Sequence, residues 1–153
     1  MSITNAALSS EITNNPNNLT DVVSGKTLQE LEALGADSVI ASVLNLVRSG
    51  GTYSVFRNDV QPKEIIQAIA PADFTGANQL QISKLQLLLA FPPIDMSLAN
   101  VRGDLQALFS SASQPTKDAL VAIASRQGSR GEILGGIGTI ISEQNVGQAR
   151  NGS

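Results

Sequence analysis

The chain has 153 residues, a formal net charge of −3, and no histidine, cysteine or tryptophan. It therefore has no disulfide framework, no thiol nucleophile, no thiolate or imidazole metal ligand and no imidazole to act as a base near neutral pH. With 42% apolar and 15% charged residues it can build a core, but it lies below the roughly 25% charge of an average domain, and its acidic balance argues against nucleic-acid or anionic-membrane partners.

The first residues lack a basic start and an unbroken apolar run, so a signal peptide is not expected. The apolar run around residues 87–91 falls far short of the roughly 20 residues that span a bilayer, as does every other, and a soluble chain is expected. Residues 1–26 read as an N-terminal arm. Ile3, Ala6, Ala7 and Leu8 suggest one short helix, and Asn14, Asn15, Pro16, Asn17 and Asn18 form a strong loop signal, because asparagine competes for backbone hydrogen bonds and tolerates left-handed geometry. The arm is loosely packed, ordered by a partner, or an ordinary frayed terminus.

From Thr27 the pattern is helical. Thr27 and Glu30 have capping-box spacing, followed by Leu28, Leu31 and Leu34 and a stop at Gly35. Asp37 opens a helix whose Ile40, Val43, Leu44 and Val47 fall on one face, and Gly50 and Gly51 end it. Residues 52–56 are rich in β-formers and read as a short strand. Pro62 suits a first helical position, with Ile65, Ile66 and Ile69 behind it; Pro71, Asp73 and Phe74 suggest a tight link. Residues 78–90 carry Ile82, Leu85, Leu88 and Leu89 and stop at Pro92 and Pro93. Ser97 is the expected cap of a helix bearing Leu98, Val101, Leu105, Leu108 and Phe109. Residues 110–115 read as a loop and 116–125 as a helix around Leu120 and Ile123. Ser129 and Glu132 repeat the capping-box spacing before a turn ending at Gly135 and Gly136; residues 138–141 read as a strand pairing with 52–56; Ser142 caps a last helix to Arg150.

The expected fold is mainly α: a compact bundle of about seven or eight short helices with one minor two-stranded pairing. Residues 27–150 form a single helical domain in this reading, with 1–26 as the arm and 151–153 as a tail. No period of about 20 to 50 residues repeats, and heptads are not sustained.

The chemistry-bearing residues give little. Asp104, Asp118, Glu64 and Glu132 show no recurring ligand spacing, and Glu30 and Glu32 point to different helix faces. Gly135, Gly136 and Gly138 invite a phosphate loop, but no lysine follows and the cluster reads better as a close backbone approach. No serine stands in a nucleophile elbow, and none of Lys26, Lys63, Lys84 and Lys117 sits three residues after a serine. No catalytic residue, cofactor or metal site is expected, and the chain does not read as an enzyme. Arg126 and Arg130 flank a helix junction and Arg150 follows; such arginines either clamp an acidic partner or stitch loops to helix ends. With Asn14, Asn15 and Asn17 of the arm they are the candidate partner contacts. The apolar stripes at 40–47, 82–89 and 98–109 read as core, and any one of them could equally face a neighbour.

Several phrases carry a resemblance: Arg57 and Asn58 before Glu64, Ile65 and Ile66; Ala72, Asp73 and Phe74; Leu108 and Phe109; the run from Ser125 to Glu132; Gly138 and Thr139; and Ser142 to Ala149. Over about residues 37–150 the chain resembles small uncharacterised proteins of tailed bacteriophages encoded among late structural genes. The resemblance brings no catalytic motif. It implies a non-enzymatic structural protein of the particle, at the neck, the tail or attached to the tail, made in the host cytoplasm and residing in the virion. Its partners would be other phage structural proteins, with repeated copies in a symmetric assembly. The alternative is an assembly helper, packaging adaptor or regulator that binds a late protein.

Overall fold

A computed structural model describes residues 3–152. Its ten α-helices and one two-stranded antiparallel sheet agree with a mainly α fold carrying a minor β pairing. The chain divides into two compact units, Met1–Ser54 with Gln127–Ser153, and Val55–Arg126, where the sequence reading has one helical domain.

In the first unit, α1 (Asn5–Asn14) starts at Thr4, whose hydroxyl accepts the Ala7 N–H at 3.2 Å. Leu8 and Ile12, four residues apart, share a face and are completely buried. Within the segment read as an arm, Leu8 and Ile12 of α1 and Leu19 of the following loop belong to this unit's core. Asn15 ends the helix in the left-handed region, with φ 40°, and its side chain holds the next loop by accepting the Leu19 N–H at 2.6 Å and donating to the Leu19 carbonyl at 3.0 Å. Thr27 and Glu30 form the expected capping box for α2 (Leu28–Ala33).

The third helix, α3 (Asp37–Asn45), buries Ile40, Val43 and Leu44 but ends two residues before Val47, which leaves the helix and pairs with Ser129 in an isolated bridge. From the C-terminal segment come α9 (Arg130–Gly135), opened by the Ser129–Glu132 capping box, and α10 (Glu143–Asn151), opened by Ser142. Leu28, Ile40, Leu44, Ile141, Val146 and Ala149 join Leu8 and Ile12 in one core. Of the expected 151–153 tail, Asn151 closes α10, Gly152 is its left-handed cap, and Ser153 lies outside the described residues.

In the second unit α4 (Pro62–Ala68) and α5 (Pro71–Thr75) both begin with proline in the first turn. An Asn78–Gln81 capping box opens α6 (Gln79–Leu89), which stops just before Pro92 and Pro93. The next helix, α7 (Ala99–Leu108), lacks the expected Ser97 cap: the Ser97 N–H and hydroxyl both donate to Asp95, at 2.8 and 2.5 Å, so a local turn captures that serine. Pro115 stands in the first turn of α8 (Gln114–Ala124), which begins two residues ahead of the expected start. Val60, Ile65, Ile69, Leu85, Ile94, Met96, Leu105 and Phe109 form the core.

Two short strands, β1 (Ser54–Phe56) and β2 (Ser125–Gln127), pair where the chain passes from one unit to the other and back. The expected partner of the first strand, residues 138–141, is not a strand. The Ile141 N–H and carbonyl are both bound by the Asn45 side-chain amide, at 2.8 and 2.7 Å, and the Gly138 N–H donates to Glu132 at 2.9 Å. With the Thr139 N–H also bound to the Gly136 carbonyl at 3.1 Å, three of the four backbone N–H groups of this segment are taken by partners other than the first strand. The strand forms instead where α8 unwinds at Ser125.

Candidate functional site

The six candidate contact residues have distinct fates. Arg130 donates from Nε and Nη2 to the two carboxylate oxygens of Glu11, at 2.8 and 2.7 Å, a bidentate pair between α9 and α1. The Asn17 amide donates to the same carboxylate at 3.3 Å. Arg150, in the last turn of α10, pairs with Asp37 at the start of α3 and donates to the Glu32 carbonyl at 2.8 Å, near the end of α2. It thereby joins three helix ends. Asn15 is buried in its own loop, as described above. Asn14 stays exposed and donates to Ser10 one turn back at 3.0 Å. Arg126 is exposed on β2, and its charge contributes to holding the Asp59 carboxyl low. Of the two readings the sequence leaves open, Arg130 and Arg150 take internal stitching.

A second arginine centre was not among the candidates. Arg57 donates to Asp59 at 2.9 Å and to both Glu64 oxygens at 2.8 and 3.3 Å, and it also reaches the Ile123 carbonyl at 3.3 Å. These bonds raise the guanidinium above its ordinary value and hold the Glu64 carboxyl below the usual carboxylate range; for Asp59 the Arg57 bond is again the main cause. Glu64 simultaneously caps α4 by accepting the Gln61 N–H at 2.8 Å. The signal available in sequence was Arg57 and Glu64 straddling Pro62, but it does not say that the chain folds back between them.

One hydroxyl–carboxylate cluster invites a catalytic reading. Asp73 accepts the Thr116 and Ser113 hydroxyls at 2.5 and 2.7 Å and the Ser113 N–H at 3.0 Å, and Thr116 accepts the Ala70 N–H at 2.9 Å. The Thr116 hydroxyl, then those of Ser113, hold the Asp73 carboxyl below its usual range. A carboxylate stabilised in that way is a weaker base, so it suits fixing the start of α8 better than activating a hydroxyl. Among the described residues no group of three or more Asp and Glu side chains comes together as a metal site, and no helix is long and apolar enough to cross a membrane.

Exposed large apolar side chains occur in both units, Val22, Val23, Phe91, Val121 and Ile140 among the most exposed. Thr20 and Thr27 bridge the base of a loop whose tip is Val22 and Val23, 74% and 91% exposed. The loop is well tied: Asp21 donates its N–H to the Lys26 carbonyl at 2.9 Å, accepts the Gly25 N–H at 2.8 Å, and its carboxylate accepts the Ser24 N–H and hydroxyl at 2.8 and 2.6 Å. In the other unit a groove of about 440 Å3 runs between α6 and α7, lined by Leu80, Lys84, Leu87, Leu88, Asp104 and Ala107 among others. A smaller cavity of about 110 Å3 lies between Asp73, Phe74, Gln81, Leu85 and Phe109. No family model, no curated protein and no solved structure matches this chain.

Proposed function

We propose that this chain is a non-enzymatic component of a tailed bacteriophage particle, working through contacts with other proteins. The observation that carries the contact reading is the loop of residues 20–27, which presents Val22 and Val23 to solvent on a hydrogen-bonded base. Side chains so exposed gain nothing for the isolated fold, whereas a neighbour that covers them gains their burial. A loop already held in place loses little conformational entropy on binding, which favours recognition. The occupation of Arg57, Arg130 and Arg150 by carboxylates of their own unit agrees with a surface that adheres through shape and apolar contact. The phage assignment rests on the sequence resemblance over about residues 37–150.

The test is a mass-spectrometric inventory of purified particles from the genome that encodes the chain. Presence at fixed, multiple copy number is expected, with loss of incorporation in a Val22→Ser/Val23→Ser variant that still folds. A chain found in infected-cell lysate and missing from particles would make it an assembly helper instead.

A further inference from the structure

We infer that the face formed by α6 and α7 is a self-association surface, on which a second copy of this chain packs about a two-fold axis, α6 of each copy lying over α7 of the other. The inference builds on the reading that the chain acts by protein contact, and names one such contact. Leu80 and Leu87 lie seven residues apart, two helical turns, on one side of α6, and are 65% and 69% exposed. Lys84 projects between them from the same side. Asp104 and Ala107 of α7 form the opposite wall of the groove.

Gln81 fixes the register by donating from its side chain to the Leu108 carbonyl at 3.2 Å, which sets the start of α6 beside the end of α7. Leu87 and Leu88 of α6 line the same groove as Asp104 of α7, so later residues of α6 lie beside earlier residues of α7 and the two run antiparallel; one ideal turn inward from that bond reaches Lys84 on one wall and Asp104 on the other. Both are exposed, and neither has a hydrogen bond or ion pair among the described residues.

Charge then selects the geometry. A two-fold axis perpendicular to the helices would lay α6 on α6 and bring Lys84 against its own copy. An axis parallel to the helices lays α6 over α7, matches Lys84 with Asp104 twice, and covers Leu80 and Leu87 of both copies. Every neighbouring pair in the resulting four-helix arrangement is antiparallel, which also suits the helix dipoles. The face is small: 11 residues make α6 only about 16 Å long. Its area lies below that of a standard stable interface, so a reversible dimer in the micromolar range or weaker is expected. Inside an assembly that tethers copies together, such a contact acts at raised effective concentration.

The test is sedimentation equilibrium of the full chain over about 5 to 500 µM, a window suited to weak interfaces. A monomer–dimer equilibrium is expected, weakened about tenfold or more by Leu80→Ser/Leu87→Ser. Lys84→Glu alone and Asp104→Lys alone each place like charges in contact twice and weaken the dimer severalfold; the double variant Lys84→Glu/Asp104→Lys returns it to within about twofold of wild type. All four side chains are exposed, and circular dichroism with thermal unfolding checks that each variant keeps its fold. A chain that stays monomeric throughout overturns the inference, as does a dimer equally weak in Lys84→Glu and in the double variant. Either result leaves the particle inventory, and the function read from it, to stand or fall separately.

Discussion

Replacing Glu11 with alanine is expected to destabilise the unit of Met1–Ser54 and Gln127–Ser153 by about 3 kcal/mol. Its carboxylate accepts two bonds from Arg130 and one from Asn17, and its side chain is 3% exposed against 16% for Arg130. An exposed ion pair contributes about 0–1 kcal/mol, whereas breaking a buried one costs about 3–5 kcal/mol because a charge is left inside without its partner. After Glu11→Ala the stranded group is the guanidinium, which keeps some access to water, so the lower end applies. After Arg130→Ala the stranded group is the more deeply enclosed carboxylate, and roughly 4–5 kcal/mol is expected. Glu11→Gln keeps an acceptor for Arg130 but loses the charge; neutral hydrogen bonds are about half as strong as charge-assisted ones, so roughly half the loss is expected.

The assay is built into the composition. Tyr53 is the only tyrosine and the chain has no tryptophan, and Tyr53 packs against the core of this same unit. Its fluorescence during urea titration therefore reports directly on the packing of this unit. With a slope of about 1–3 kcal/mol per molar urea, a loss of 3 kcal/mol moves the midpoint by about 1–3 M at constant slope. The double variant should cost clearly less than the sum of the singles, because the second removal takes away a group that the first had already stranded. Midpoint shifts under about 0.3 M for both single variants, or simple additivity, would refute the reasoning and make the pair a surface contact.

Three further outcomes are expected. Asn45→Ala removes both bonds to the Ile141 backbone and should cost about 2–3 kcal/mol in the same titration, with faster amide exchange at Ile141 as the local sign. Alanine at Gly135 would put its Cβ 2.6 Å from Thr139 Cγ2, so Gly135→Ala should destabilise by about 1–3 kcal/mol, and Thr139→Ala, which deletes the crowding atoms, should recover much of that loss. In the Val55–Arg126 unit, Asp59, Glu64 and Asp73 are all held below their ordinary values of 3.8, 4.5 and 3.8. Their stabilisation is present above those values and is lost as pH falls through the lower folded ones, so thermal stability should drop below about pH 4; Asp73→Asn should flatten that drop, and an unchanged pH profile would count against the cluster.

Signals that involve neighbouring residues were legible in the sequence. The Thr27–Glu30 and Ser129–Glu132 boxes form as their spacing predicts, because each needs only one turn of chain, and Pro92 and Pro93 bound α6 for the same local reason. The burial of Ile40, Val43 and Leu44 follows from their shared face. What failed depended on competition or distance. At Ser97 a cap and a turn onto Asp95 compete for one side chain, and composition does not rank them. The strand partner was misassigned because residues 139–141 have β-branched character, yet the Ile141 backbone is bound by Asn45, 96 residues away, and the Thr139 N–H by the nearby Gly136 carbonyl. Of the candidate contacts, Arg130 finds its carboxylate 119 residues away on a helix within the segment read as an N-terminal arm, so only the general choice between partner clamp and internal stitch could be framed beforehand.

The low charge of this chain gains meaning from where the charges are used. Glu30, Glu64 and Glu132 cap their own helices, Glu11 and Asp37 neutralise arginines, and Asp21 and Asp73 tie loops and helix starts. Each ionised group with two or more internal bonds is a group that a binding neighbour need not strip of water, and desolvating unpaired charge is the main penalty for covering a surface. Cores of protein interfaces are depleted in Lys, Glu and Asp for that reason. Under the proposed reading, the tethered Val22–Val23 loop and the Leu80–Leu87 face then have the property a repeated contact needs: apolar area on elements already ordered, with Lys84 and Asp104 left over to set orientation. Neutralising Lys84 and Asp104 together, as Lys84→Gln/Asp104→Asn, should therefore leave dimer affinity nearly unchanged while removing its salt dependence, since charge at the edge of such a face directs register more than it adds affinity.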